Sequence, residues 1–167
     1  MEFEIERGKI GISGIFGDDE TTIRGEEKDI EGISVDWLIR LHDNLIFKGE
    51  AADGENLAVF LSRSSVNATT REEQDVTTFW TELVYSGANY NWWVGVATEN
   101  FDDNALAAGA NEDTQVIFGA FQWKLKGAVL AGSPILLGVE VATFETDLAG
   151  GGGNDADQVI FSGIYKY

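Results

Sequence analysis

The sequence predicts an all-β fold: a single antiparallel β-sandwich, jelly-roll-like, with eight to ten strands. Three observations lead there. Apolar residues alternate with polar ones over most of the chain, the period-two signature of strands. Turn residues interrupt the alternating runs at short intervals. Helical periodicity is weak throughout, so the helices a parallel α/β fold would need are missing. The 167 residues fit one domain, residues 1–167, and at that length about 70% of the unfolded surface can be buried.

In chain order, strands are expected at EFEIE (2–6) and KIGISGIF (9–16), followed by a polar segment at 17–32. Alternation is clearest in the next run, where Ile33, Val35, Trp37, Ile39 and Leu41 share one face and Ser34, Asp36 and Arg40 lie on the other. Further runs are NLIFKGE (44–50) and NLAVFLSR (56–63), with Asp53-Gly54 between them. That pair predicts a type I′ hairpin turn, in which both central residues need positive φ. A second polar segment at 64–75 precedes VTTFWTELVY (76–85) and NWWVGVAT (91–98), which flank the turn Ser86-Gly87-Ala88-Asn89. Residues 101–110 fit a short helix or an acidic loop. TQVIFGAFQWKLKGAVL (114–130), PILLGVEVATFE (134–145) and QVIFSGIYKY (158–167) complete the set, with turns at 131–134 and 150–153. Both polar segments are natural contact arms, since loops of that length in compact domains are functional or disordered.

Charge limits the partners. With 29 Asp and Glu against 11 Lys and Arg, the net charge is −18, a field that repels nucleic acid and anionic lipid headgroups. No Lys or Arg lies between Arg71 and Lys124, so no basic stripe can form there. The acidity suits either simple solubility or a high-salt habitat, where screening over about 3 Å at molar ionic strength relieves self-repulsion. There is no cysteine. The start, MEFEIERGKI, has no apolar signal region, and no apolar run is long enough for a membrane-spanning helix. No membrane span is expected.

Catalysis is constrained by scarcity. His42 is the one histidine, no G-x-S-x-G elbow accompanies it, and it reads as an ordinary strand-end residue. Glu82 and Glu140, both within apolar strands, are the candidates for a glycosidase-like carboxylate pair. The run Gly150 to Asp157 resembles one unit of a glycine- and aspartate-rich calcium repeat, but has no second copy to stack on and fits a hairpin loop better. Asp102-Asp103-Asn104 and Glu112-Asp113 are weaker sites of the same kind. No cofactor is expected and no enzyme activity is assigned. Tyr90, Trp92 and Trp93 form the densest aromatic cluster; neighbouring strand residues point to opposite faces, so one tryptophan belongs to the core and the other to an interface or a sugar platform. Asn67-Ala68-Thr69 matches the N-glycosylation pattern.

Strand number, size, scarce proline, long acidic loops and an aromatic C-terminus make the chain similar to small jelly-roll coat proteins of icosahedral viruses, including those of salt-loving hosts. The resemblance implies a capsid subunit in a virion, assembled with copies of itself and other structural subunits and making no direct contact with nucleic acid. The alternative is an extracellular, lectin-like carbohydrate-binding sandwich; a small glycosidase is a distant third.

Overall fold

The computed structural model describes residues 1–19, 28–55, 75–101, 111–130 and 133–165. They form nine strands: β1 (Glu2–Ile5), β2 (Gly8–Asp19), β3 (Lys28–His42), β4 (Leu45–Glu55), β5 (Asp75–Ser86), β6 (Tyr90–Phe101), β7 (Asn111–Leu130), β8 (Ser133–Leu148) and β9 (Gly153–Tyr165). All pair antiparallel, each with its neighbours in sequence, in one sheet of order β1 to β9. The all-β antiparallel expectation and the strand number hold. The two-sheet jelly-roll layering does not appear among the described residues, because no strand crosses to another sheet.

Several strands are longer than the sequence runs imply, and the difference lies at turns that do not form. Asp53 and Gly54 do not make a hairpin. They continue β4, with Asp53 opposite Ile33 and Thr77, and Gly54 opposite Gly32 and Val76. A type I′ turn there would surrender ladder bonds to two neighbours at once, and the two ladders outweigh the local preference. The 17–32 segment is likewise part strand: Gly17 to Asp19 continue β2, and β3 begins at Lys28, with Gly17 opposite Ile30 and Asp19 opposite Lys28. The expected strand at 56–63, most of the arm at 64–75 and all but Phe101 of the short helix or acidic loop expected over 101–110 lie outside the described residues; Phe101 itself ends β6.

The two ends of the sheet differ. At one end β1–β2, β3–β4, β5–β6 and β7–β8 join through residues 6–7, 43–44, 87–89 and 131–132; at the other, the connections are 20–27, 56–74, 102–110 and 149–152. The last of these is the tight turn foreseen at the glycine run. Gly150, Gly151 and Gly152 all have positive φ, and Gly151 N–H donates to the Leu148 carbonyl at 2.9 Å.

Very little is buried. Among the described residues the apolar core comprises Val76, Phe101, Ala142 and Ala149, far short of the full face that two packed sheets bury between them.

Candidate functional site: the two faces of the sheet

Registered pairs share a face, so the pairings sort every strand residue. One face carries Phe3, Ile5, Ile12, Ile33, Val35, Trp37, Phe79, Val94, Ile117, Phe121, Leu137, Val139, Val141, Val159 and Phe161. Of the exposed large apolar side chains in strands, Ile160 alone lies on the other face. The apolar face is also the more exposed: along β8, Leu137, Val139 and Val141 are exposed, whereas Leu136, Gly138 and Glu140 are half-buried and Ala142 is buried. The sheet therefore curves with its apolar side outward. A water-soluble sheet does the opposite.

The inner, concave face holds the cations. Lys9, Arg40, Lys48 and Lys124 all stand on it, and no described strand residue of the apolar face is Lys or Arg. Its polar groups pair across strands. Lys48 Nζ lies 2.5 Å from Glu82 Oε1 and 5.8 Å from the centre of the Trp80 ring. Lys9 Nζ lies 2.8 Å from Glu2, and Asn91 Nδ2 donates to Gln122 Oε1 at 3.4 Å. Lys124 Nζ donates to the Gly87 carbonyl at 2.7 Å, holding the β5–β6 turn. Small residues, among them Gly11, Ser13, Gly32, Ser34, Ala52, Ala97 and Ala120, share this face with large ones such as Trp80, Trp93, Phe118 and Phe144. A cavity of about 250 Å³ opens among Ser13, Gly32, Ser34, Ala52 and Thr78.

The outer face is banded. Towards the end with the longer connections it is acidic: Glu31, Asp53, Glu55, Asp75, Asp113, Glu145, Asp147, Asp155 and Asp157 stand there. Thr77 Oγ1 donates to Asp53 at 2.6 Å, Thr143 Oγ1 to Asp157 at 2.9 Å, and Asn100 Nδ2 to Asp113. Below this rim the face is apolar, and towards the short-turn end it becomes aromatic. Tyr85 stacks on Tyr90 with centroids 5.5 Å apart and on Trp92 at 5.8 Å; Tyr90 stacks on Phe121 at 5.6 Å. Trp123 stands opposite Tyr90, 58% exposed.

The boundary between rim and apolar band is oblique to the strands. The first apolar residues are Ile33, Ala51, Phe79, Val96, Ile117, Val141 and Val159 on β3 to β9. Ile33 faces Asp53, Phe79 faces Thr98, and Ile117 faces Thr143, so the boundary drops by one pair at every second strand. That is six residues over six steps, one residue per strand. With about 3.3 Å per residue and 4.8 Å between strands, a level boundary requires strands tilted by about 35°, close to the roughly 35–45° of closed barrels. On β3 the band runs from Ile33 to Leu41, about 26 Å along the strand and about 22 Å in height at that tilt, against roughly 25 Å for the lipid-facing band of outer-membrane barrels.

The residues singled out from sequence fall on both faces. Trp92 and Tyr90 belong to the outer aromatic group and Trp93 to the inner face, where it registers with Val84 and Ala120. Both tryptophans are half-buried, so the expected split into one core and one exposed residue is not what separates them. Asn67 and Asp102-Asp103-Asn104 lie outside the described residues. Glu82 and Glu140 share the inner face but stand three strand spacings apart, about 14 Å, too far for the carboxylate pair of a glycosidase. His42 closes β3 opposite Leu45. Asp155 and Asp157 are strand residues of β9 facing Glu145 and Thr143, not members of a loop, and Glu112 and Asp113 lie in β7. Among the described residues no three His, Cys, Asp or Glu side chains cluster to hold a metal.

No family model and no curated protein sequence matches the chain. Among solved structures, the crystal structure of the outer membrane channel DcaP of Acinetobacter baumannii is similar, with a TM-score of 0.75 at 17% identity over 94% of this chain and 46% of the channel's. The likeness is one of fold, and the chain spans about half the length of that protein. It replaces the earlier functional expectations. A capsid subunit, a lectin-like module and a small glycosidase are set aside. With them go the virion or extracellular location, the homo-oligomeric and structural-subunit partners and the absence of a membrane span. Those readings assumed that the apolar face turned inward. No helix among the described residues is long and apolar enough to cross a membrane, but strands cross by another rule, needing about 9–11 residues each when tilted, and β2 to β9 all reach that length.

Proposed function

We propose that these nine strands form part of the wall of a β-barrel channel in an outer membrane, with the apolar face in lipid and the inner face lining a water-filled passage. One observation carries this reading: the exposed, convex face is apolar and free of cations over the described strands, while the ion pairs Lys48–Glu82 and Lys9–Glu2 lie on the concave face. Barrels that cross membranes alternate apolar-out and polar-in. The oblique band, its height and the similarity to a channel support it. Tyr85, Tyr90 and Trp123, each six residues from the first apolar residue of its strand, fit a membrane–water interface, where amphipathic rings gather, and the short connections at that end fit the periplasmic side. Such a wall takes its closed form, in place of a sandwich, by curving until its edges are paired.

The test is placement in lipid. Refolded into vesicles containing lipids brominated at different acyl depths, the protein should lose part of its tryptophan emission, Trp123 being quenched best by bromines near the interface and Trp37 and Trp92, four residues into the band, by deeper ones. Replacing Trp123 with Phe should remove a measurable share of that quenching. Emission indifferent to bromination would overturn the reading.

A further inference from the structure

The concave face holds a small dish whose border is charged without compensation. Three registered rows of β2 to β5 build it. Ser13, Ser34, Ala52 and Thr78 form the middle row, and Ile15, Gly32 and Val76 stand in the next row towards the acidic rim. Short side chains along the middle row, with Gly32 beside them, leave the cavity of about 250 Å³, which Ile15 and Val76 line with apolar surface and Glu50 closes on one side. The row towards the short-turn end is Gly11, Asp36, Glu50 and Trp80.

Asp36 and Glu50 register directly opposite each other, and like charges so placed destabilise a sheet. Both are half-buried. The cations one row further on are already engaged: Lys9 Nζ lies 2.8 Å from Glu2, and Lys48 Nζ lies 2.5 Å from Glu82. Neither Asp36 nor Glu50 enters an ion pair among the described residues. The Asp36 carboxylate leans over Gly11, into the place a Cβ there would take, and so away from Glu50. A pair that costs stability and is left unneutralised marks a functional position.

We propose that this dish binds a small organic cation with an apolar body, as a solute of the passage. Glu50 meets the cationic end, Asp36 adds to the field, and Ser13, Ser34 and Thr78 offer hydroxyls to its polar hydrogens. Trp80, registered with Glu50, borders the site with an aromatic ring, a surface that attracts cations. The proposal rests on the channel-wall reading, which puts the concave face in water. At about 30 Å³ per water-sized group, the cavity holds about eight such groups. Its apolar lining suits a hydrocarbon body better than a hydrated metal ion. Ser34 is next to Ile33, where the apolar band of β3 begins, so the dish lies just inside the end that carries the acidic rim, whose field concentrates cations.

Benzylammonium has the size and charge required; benzyl alcohol is its neutral counterpart and benzoate its anionic one. Titration calorimetry of the full chain in nonionic micelles, read against a protein-free blank, should show saturable binding of benzylammonium at least about tenfold tighter than of either counterpart, the weight of a charged hydrogen bond. Glu50→Gln should weaken it by about the same factor and raise the thermal midpoint, because the substitution also removes the like-charge contact. A residue with only a structural role would not part affinity from stability in this way. Glu140→Gln is the control for the general acidity: it stands on the same face, four strand spacings or about 19 Å along the sheet from Glu50, beyond the screening length of about 10 Å at 0.1 M salt. It should change the affinity by less than about twofold. Ala52→Leu, which fills the dish and leaves every charge in place, should abolish binding. No saturable binding, equal binding of benzyl alcohol, calcium bound in place of benzylammonium, or Glu140→Gln as damaging as Glu50→Gln would each overturn the site. Bromine quenching of Trp123 separates the two ideas: quenching without benzylammonium binding keeps the channel wall and removes the site, and binding without quenching keeps the site and removes the passage.

Discussion

Leu137→Arg separates a membrane wall from a soluble sheet most sharply. Leu137 lies on the outer face of β8, 47% exposed, opposite Trp123 and Gly163. It stands four residues below Val141, where the band begins on that strand. At a tilt of about 35° this is about 11 Å down, half the height of a band of about 22 Å. In water an arginine at a half-exposed surface position changes stability by about 0.5 kcal/mol or less. At the midplane of a bilayer the same change on a lipid-facing strand costs roughly 2–4 kcal/mol, a factor of roughly 30 to 700 in the folding equilibrium. Ala120→Arg is the matched control, on the inner face opposite Glu140, where a new cation meets a carboxylate and water, and its cost should stay below about 1 kcal/mol. Guanidinium unfolding from lipid vesicles, followed by tryptophan emission, measures both. A small cost for Leu137→Arg together with a larger one for Ala120→Arg would reverse the faces and refute the reasoning.

Other substitutions probe single contacts. Trp37 packs against Phe47 at 6.1 Å and Phe79 at 6.0 Å, and its buried Nε1 has no hydrogen-bond partner; Trp37→Phe removes that donor and should shift stability by less than about 1 kcal/mol, whereas Trp37→Ala should cost about 3 kcal/mol or more. Trp92→Ala removes a near-parallel stack on Tyr85, and the thermal midpoint should fall by the equivalent of about 0.5–1.5 kcal/mol beyond the lost area. Lys48→Met leaves Glu82, whose side chain is 14% exposed, without its ion pair; a loss of about 1–3 kcal/mol is expected, partly recovered in the double variant Lys48→Met, Glu82→Gln, as a double-mutant cycle would show. Gly152→Ala places a Cβ at a φ of +95°, which should cost about 1–2 kcal/mol in equilibrium unfolding.

The strands were legible in the sequence because period-two alternation is a local property. Ile33 to Leu41 sits in β3 as read, and the runs at 9–16, 76–85 and 114–130 all fall inside strands. What local pattern did not contain was where neighbours override a turn. Asp53-Gly54 is an excellent hairpin pair in isolation, yet it lies in a strand because β3 and β5 both claim its backbone. Register decides such cases, and register depends on residues far along the chain.

The function was misread for a different reason. Alternation states that a strand has an apolar face and a polar face, and is silent on which faces water; the same pattern describes a sandwich turned inward and a barrel turned outward. The polar face does carry the cations: Lys9, Arg40, Lys48 and Lys124 keep one parity, and Lys48 meets the Glu82 carboxylate across the strands. The acidity has a place as well. Its described outer-face carboxylates lie at one rim, engaged by Thr77, Asn100 and Thr143, and the apolar band below them contains none; mid-strand carboxylates such as Asp36, Glu82 and Glu140 are kept to the inner face.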